Sequence, residues 1–355
     1  MSAGGFPEDT SALDAWAAAH VPGFVGPSQA TKFATGQSNP TYLIANPSGR
    51  YVLRRKPPGK LLKSAHMVER EFRVMRALNS EGYPAPRALA LCEDESVAGS
   101  VFFLMSHVEG RILWDPSLPE STREERAGIY DSMNEALARL HGIDVVAAGL
   151  SDYGKPGNYF ARQWQRWSEQ YRASETSEIP EMNRLIDWLG ANMPPDDGRV
   201  ALVHGDYRID NMIFDSISPR LLAVLDWELS TLGHPFADLA YQCMQWRLPN
   251  VEGYRGLGDL DRESLGIPTE AEYVVQYCRR AGLSEVPHWT FLIAFCFFRS
   301  AAIHQGVYKR SLDGSASNPD LARKAGAGVP SLAKMGIAMV EGGETRASGA
   351  VELSR

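Results

Sequence analysis

The run His204-Gly205-Asp206-Tyr207-Arg208-Ile209-Asp210-Asn211 sets an acid, a cation and an amide at short fixed spacing, and a second acid follows in Leu225-Asp226-Trp227-Glu228. Apolar stretches at residues 200–203 and 221–225 precede these acids, so each is expected at the end of a short buried strand. Carboxylate and amide oxygens suit a hard cation such as Mg²⁺, where His or Cys would not. A carboxylate is too weak a base to deprotonate an alcohol outright, but it can orient a hydroxyl and take its proton late. Together these residue types point to phosphoryl-transfer chemistry.

The spacing H-G-D-x-x-x-x-N resembles the protein-kinase catalytic loop H-R-D-x-x-x-x-N, with Gly in place of Arg. With H-G-D at this point, the chain resembles the aminoglycoside phosphotransferase and choline kinase branch of the kinase-like superfamily. That resemblance implies an α+β, protein-kinase-like two-lobe fold, with a small antiparallel-sheet N-lobe carrying one main helix and a larger, mostly helical C-lobe. It implies ATP and Mg as cofactors, Asp206 as the group receiving the acceptor's proton, and Asn211 and Asp226 as metal ligands. Arg208 is then expected to face the moving phosphoryl group and stabilise its charge.

The elements that must position these groups can be read in order. A helix carrying Leu13, Trp16 and Ala17 is expected after Thr10 or Ser11, packed outside the first lobe. Strand-like runs follow at residues 30–35, 41–45 and 50–55, separated by turns at 36–39 and 46–49. The resemblance places the first turn, Gly36-Gln37-Ser38-Asn39, over the nucleotide phosphates. Its small residues would let backbone N–H groups approach an anion, although it is not a G-x-x-x-x-G-K-[ST] loop. In Tyr51-Val52-Leu53-Arg54-Arg55-Lys56, alternation sets Arg54 and Lys56 on one face and Arg55 on the other. Either Arg54 or Lys56 could therefore reach phosphate, and the family's usual Lys is matched here by Arg54. A helix from Ser64 with Val68, Phe72, Met75 and Leu78 on one stripe offers Glu71, with Glu69 as rival, to pair with the strand cation. Two more strands are expected at 88–92 and 100–106, after which main-chain groups near Met105, His107 and Val108 would hydrogen-bond adenine.

Beyond Gly110 the pattern turns helical, at residues 129–140, 159–171, 181–189, 271–281, 289–303 and 319–340. Gly233-His234-Pro235-Phe236-Ala237-Asp238 resembles the phosphotransferase branch, and Asp238 is expected to brace the loop from behind. Asp226-Trp227-Glu228 runs within a few residues into Gly233, leaving no room for an activation loop, so a small-molecule kinase is favoured over a protein kinase. Arg162, Arg166, Arg247, Arg299, His304, Lys309 and Arg310, interleaved with Trp, suit an anionic, partly apolar acceptor. Gly36-Gln-Ser-Asn-Pro-Thr-Tyr, Val52-Leu-Arg-Arg-Lys-Pro-Pro-Gly and Glu69-Arg-Glu-Phe-Arg-Val resemble the phosphotransferase domains fused to acyl-CoA dehydrogenases in animals, and their free-standing bacterial counterparts. That resemblance implies a small-molecule hydroxyl acceptor that is a hydroxyacyl-CoA. An aminoglycoside, choline or homoserine-type acceptor, or a non-catalytic nucleotide-binding module, are the alternatives.

The rest of the sequence accommodates this reading. Its 355 residues suffice for two lobes, expected as 1–108 and 109–341 with a tail at 342–355. A net charge of −7 argues against a nucleic-acid partner. The four cysteines lack metal or disulfide spacing and no leader-like opening is seen, so a reducing cytoplasm is expected. Residues 289–303 read as a buried helix shorter than a membrane span, so no membrane partner is expected. Oligomeric state is not encoded legibly.

Overall fold

The computed structural model describes residues 6–7, 9–33, 39–57, 67–251, 254–314 and 318–342. Helix α1 (Ser11–His20) precedes strands β1 (Gln29–Lys32), β2 (Thr41–Asn46) and β3 (Gly49–Arg55); α2 (Val68–Ser80), β4 (Ala88–Cys92), the one-turn α3 (Glu95–Ala98) and β5 (Phe102–Ser106) follow. The strands form one antiparallel sheet of order β1-β2-β3-β5-β4. Alternation decides its two faces. Leu53, Arg55, Phe102 and Leu104 point outward into a cluster with Leu13 and Ala17 of α1, while Val52, Arg54 and Phe103 face the interlobe cleft. Arg55 is buried there because Phe6 and Tyr42 cover its guanidinium, at 5.4 and 5.6 Å from the ring centroids, and the Ala98 carbonyl accepts its proton. Thr10 does not cap α1 by its side chain; its hydroxyl donates instead to Ser28 O and Asp14. The expected helix start at Ser64 lies outside the described residues, and α2 is seen from Val68.

The larger lobe contains α4 (Arg123–His141), α5 (Tyr159–Ser174), α6 (Pro180–Ala191), α7 (Phe236–Cys243), α8 (Arg262–Leu265), α9 (Glu270–Ala281), α10 (Trp289–Leu312) and α11 (Pro319–Glu341). Side-chain caps explain several starts: Thr122 accepts from Glu125 N, and Thr269 with Glu272 forms a reciprocal capping box. At 24 residues α10 is longer than its apolar stretch suggested, and it is long and apolar enough to cross a membrane. Two thirds of its most apolar window is nevertheless buried, against α5, α7 and α11 among others. The apolar face of α2, with Val68, Met75 and Leu78, joins the core of this lobe and not the α1 cluster.

Four short strands organise the site. β6 (Ala201–Val203) pairs with β9 (Thr231–Gly233), and β7 (Met212–Phe214) pairs with β8 (Leu221–Val224), both antiparallel. This nesting lays the loop between β6 and β7 beside the loop between β8 and β9. Leu225 N donates to Asn211 O at 2.8 Å, and His204 Nε2 lies 2.8 Å from Leu225 O. The two acids thus arrive on neighbouring loops.

Candidate active site

Gly205 makes the first loop possible. Its φ of +84° is left-handed, and a Cβ would lie 2.8 Å from the Leu229 carbonyl oxygen, so an L side chain meets both strain and a clash. The next amide binds back, Asp206 N to His204 Nδ1 at 3.2 Å, while His204 Nε2 faces Leu225 O. Behind the loop, buried Asp238 of α7 accepts from His204 N at 2.6 Å and Gly205 N at 2.8 Å, with His141 Nε2 at 3.4 Å. Burial pushes Asp238 up, but His141, His204 and these amides outweigh it and hold the carboxyl below its ordinary range. Asp238 therefore braces the loop, as its position in the sequence suggested.

Both oxygens of Asp206 are held. Asn211 Nδ2 donates to Oδ2 at 2.9 Å and to the Asp206 carbonyl at 3.0 Å; the Tyr241 hydroxyl donates to Oδ1 at 2.8 Å. With its amide N–H groups so used, Asn211 has its carbonyl oxygen left for a cation. Asp226 sits at φ +64°, a left-handed conformation in a non-glycine residue, of the kind that concentrates at functional sites.

Across the cleft, Arg54 joins three acids: Glu71 Oε2 at 2.7 Å from Nε, Asp226 Oδ1 at 2.8 Å and Glu228 Oε2 at 3.2 Å from Nη2. Asn39 donates to the other Glu71 oxygen at 2.8 Å, tying the end of the first turn to α2. One guanidinium against three carboxylates leaves a surplus of negative charge. Burial, partly offset by Arg54 and reinforced by Asp226 and Glu228, pushes Glu71 up to about 7. The donor set is all oxygen, and among the described residues no group of three or more His, Cys, Asp or Glu is arranged to enclose a metal. That chemistry fits Mg²⁺, which binds through one or two protein ligands plus phosphate and water.

The structure separates the rival pairs left open by sequence. Arg54 and Glu71 line the cleft together, whereas Lys56 pairs with Glu69. The position of α2 is set by the larger lobe: Arg70 donates to Tyr153 O at 2.8 Å and lies 4.1 Å from that ring's centroid, and Tyr153 OH meets Ser230 Oγ at 2.8 Å. Met105, His107 and Val108 line the same cleft of about 940 Å³, beside Val52, Phe103 and Ile213. Gly36, Gln37 and Ser38 lie outside the described residues. The Arg208 guanidinium forks onto Asp210. Arg162 donates to the Lys155 and Pro156 carbonyls, while Arg166 is exposed over Trp167.

Sequence reasoning gave no role to Glu228, Tyr241 or Asp210. Tyr241 was detectable in one way: it lies three residues after Asp238, on the same face of one helix.

A family model described as the phosphotransferase enzyme family matches residues 29–282. The chain belongs to that family. It is a small-molecule kinase of the protein-kinase-like fold. Mouse acyl-CoA dehydrogenase family member 10 is 50% identical over 311 residues, covering 87% of this chain and 29% of that protein. The chain spans less than half the length of the curated relatives it matches. A Ralstonia eutropha structure, solved as a candidate aminoglycoside phosphotransferase, is 48% identical with TM-score 0.86, covering 95% of this chain and 99% of that one. A spectinomycin phosphotransferase solved with ADP and spectinomycin is 12% identical with TM-score 0.60, covering 93% and 98%, and shows the shared fold.

Proposed function

We propose that this kinase transfers the γ-phosphoryl group of Mg·ATP to a hydroxyl of a hydroxyacyl-CoA. The observation that carries the transfer chemistry is that Asn211 and Asp226, on two nested loops, line one cleft with the Arg54–Glu71 pair, while Asn211 holds Asp206 beside them. In this reading Asp206 orients the acceptor hydroxyl and receives its proton, Arg54 binds phosphate oxygens, and main chain near Met105 to Val108 reads the base. Mg²⁺, held by Asn211 and Asp226, supplies charge neutralisation on the nucleotide phosphates when bound. ATP as donor is supported by the ADP bound to the fold neighbour.

Two observations support the acceptor. The relatives are named for acyl-CoA dehydrogenation, and a transferase sharing a polypeptide with such an enzyme is placed to act on the same class of molecule. Phosphorylation converts a hydroxyl into a better leaving group for later elimination. Next to Asp206 the half-buried Arg299 guanidinium also donates to the Gly205 carbonyl, a cation that disfavours a polycation such as an aminoglycoside. Four buried, unbridged cysteines accord with a cytoplasmic setting, which belongs to the same proposal.

The test is a mass-spectrometric screen for phosphoryl gain with Mg·ATP against hydroxyacyl-CoAs, choline, homoserine and aminoglycosides. A product on hydroxyacyl-CoAs alone is expected; a product confined to another class overturns the acceptor assignment.

A further inference from the structure

Helix α7 grips the loop at two points. Asp238 accepts the N–H groups of residues 204 and 205, and one turn later Tyr241 donates to Oδ1 of Asp206. From α10, Arg299 donates to the Gly205 carbonyl at 2.6 Å, and its guanidinium lies 5.4 Å from the Tyr241 ring centroid and 5.8 Å from that of Trp167. Three consecutive residues ending in Asp206 are thus held from both helices. Arg299 is half-buried, and Asp206 acts on it electrostatically.

We propose that Tyr241, braced by Arg299, is a positioning residue that fixes the Asp206 carboxylate for proton acceptance. This rests on Asp206 being the proton acceptor. A carboxylate held by one donor can turn about its terminal bond; Asn211 on Oδ2 and Tyr241 on Oδ1 remove that freedom and leave each oxygen one open lone pair. Burial, and then Asp206, keep the Tyr241 phenol well above its ordinary range, so it remains a donor throughout and does not act as the base. The charged groups facing this hydroxyl are Asp206, Arg208 and Arg299.

The experiment compares wild type, Tyr241→Phe, Asp206→Asn and protein carrying 3-fluorotyrosine at 241 in steady-state kinetics, with melting temperature recorded. Tyr241→Phe is expected to lower kcat on the order of 10- to 100-fold, the loss for one hydrogen bond to an ionised group, with KM for Mg·ATP within about twofold. The 3-fluorotyrosine protein keeps the phenol donor and should keep kcat within about threefold of wild type. An unchanged kcat in Tyr241→Phe overturns the proposal. So does a fall in kcat accompanied by an equal loss of Mg·ATP affinity and of thermal stability, which would mark a purely structural role. If Tyr241→Phe does not fold, the 3-fluorotyrosine protein decides: a kcat far below wild type in a folded protein overturns the proposal. Asp206→Asn separates the two levels: turnover by that variant sinks the proton-acceptor assignment, whereas an inert Asp206→Asn beside a normal Tyr241→Phe sinks only the brace.

Discussion

Replacing Arg54 by Met should reveal how the cleft cluster is balanced. The Arg54 side chain is 13% exposed and that of Glu71 3%, so the substitution strands a buried carboxylate beside Asp226 and Glu228. Breaking a buried pair by removing one partner costs about 3–5 kcal/mol. With an unfolding entropy of about 2.1 cal/mol/K per residue, that corresponds to a melting temperature lower by about 4–7 °C for a chain of this length. The cost depends on pH. Glu71 titrates at about 7, above its value of 4.5 as a free side chain, so its contribution to stability is fully present below about pH 4.5 and is lost as pH rises through 7. The Arg54→Met loss should therefore be largest at pH 8 and smaller at pH 5.5, where Glu71 escapes by protonation. Arg54→Met/Glu71→Leu removes both charges and should recover most of the lost stability at pH 8, because an apolar pair of similar volume replaces a broken ion pair. Mg·ATP affinity should not recover, since the phosphate-binding cation is still missing. Differential scanning calorimetry and isothermal titration calorimetry read the two quantities separately. A double variant no more stable than Arg54→Met would refute the claim that Arg54 holds Glu71, and restored nucleotide affinity would refute its role toward phosphate.

Asp226→Ala should raise the Mg²⁺ concentration needed for half-maximal activity by at least tenfold; titration of activity with Mg²⁺ checks this, and an unchanged requirement counts against metal ligation. Gly205→Ala meets both the left-handed backbone and the Leu229 carbonyl, and should cost about 1–3 kcal/mol of stability and displace Asp206, seen as a kcat loss larger than any change in nucleotide affinity. Asp238 has a depressed carboxyl, so its stabilisation is present above its unfolded value near 3.8 and is lost as pH falls through the lower folded one. Urea unfolding of Asp238→Asn should accordingly show a deficit at pH 6 that shrinks toward pH 3; a deficit constant with pH would contradict the hydrogen-bonding account.

What was legible in the sequence depended on locality. Alternation in residues 51–56 separated Arg54 from Arg55 correctly, because a strand's period of two is a backbone property. The same rule could not choose between Arg54 and Lys56, since the choice depends on which carboxylate of α2 each one meets: Glu71 for the first, Glu69 for the second. Asp238 could be placed behind the loop because a family pattern carried it. The contact of Tyr241 with Asp206 was not legible, because the two lie 35 residues apart in sequence and meet only once α7 packs beneath the loop; the helical spacing from Asp238 was the one signal that pointed to it. For Arg208 the spacing from Asp206 suggested a cation facing the phosphoryl group, and what it could not show is that Asp210, two residues on, pairs with the guanidinium. The short strands β7 and β9 also escaped notice. Three residues are too few to show a period, and their pairing with β8 and β6 is a tertiary event.

The central claim is that Asp206 takes part in the transfer step and not in binding the nucleotide. Single-turnover transfer from γ-labelled ATP, run beside calorimetric Mg·ATP binding for wild type and Asp206→Asn, tests it most directly. The account predicts near-wild-type nucleotide affinity in Asp206→Asn with transfer to acceptor slowed by several orders of magnitude; transfer at the wild-type rate would contradict it.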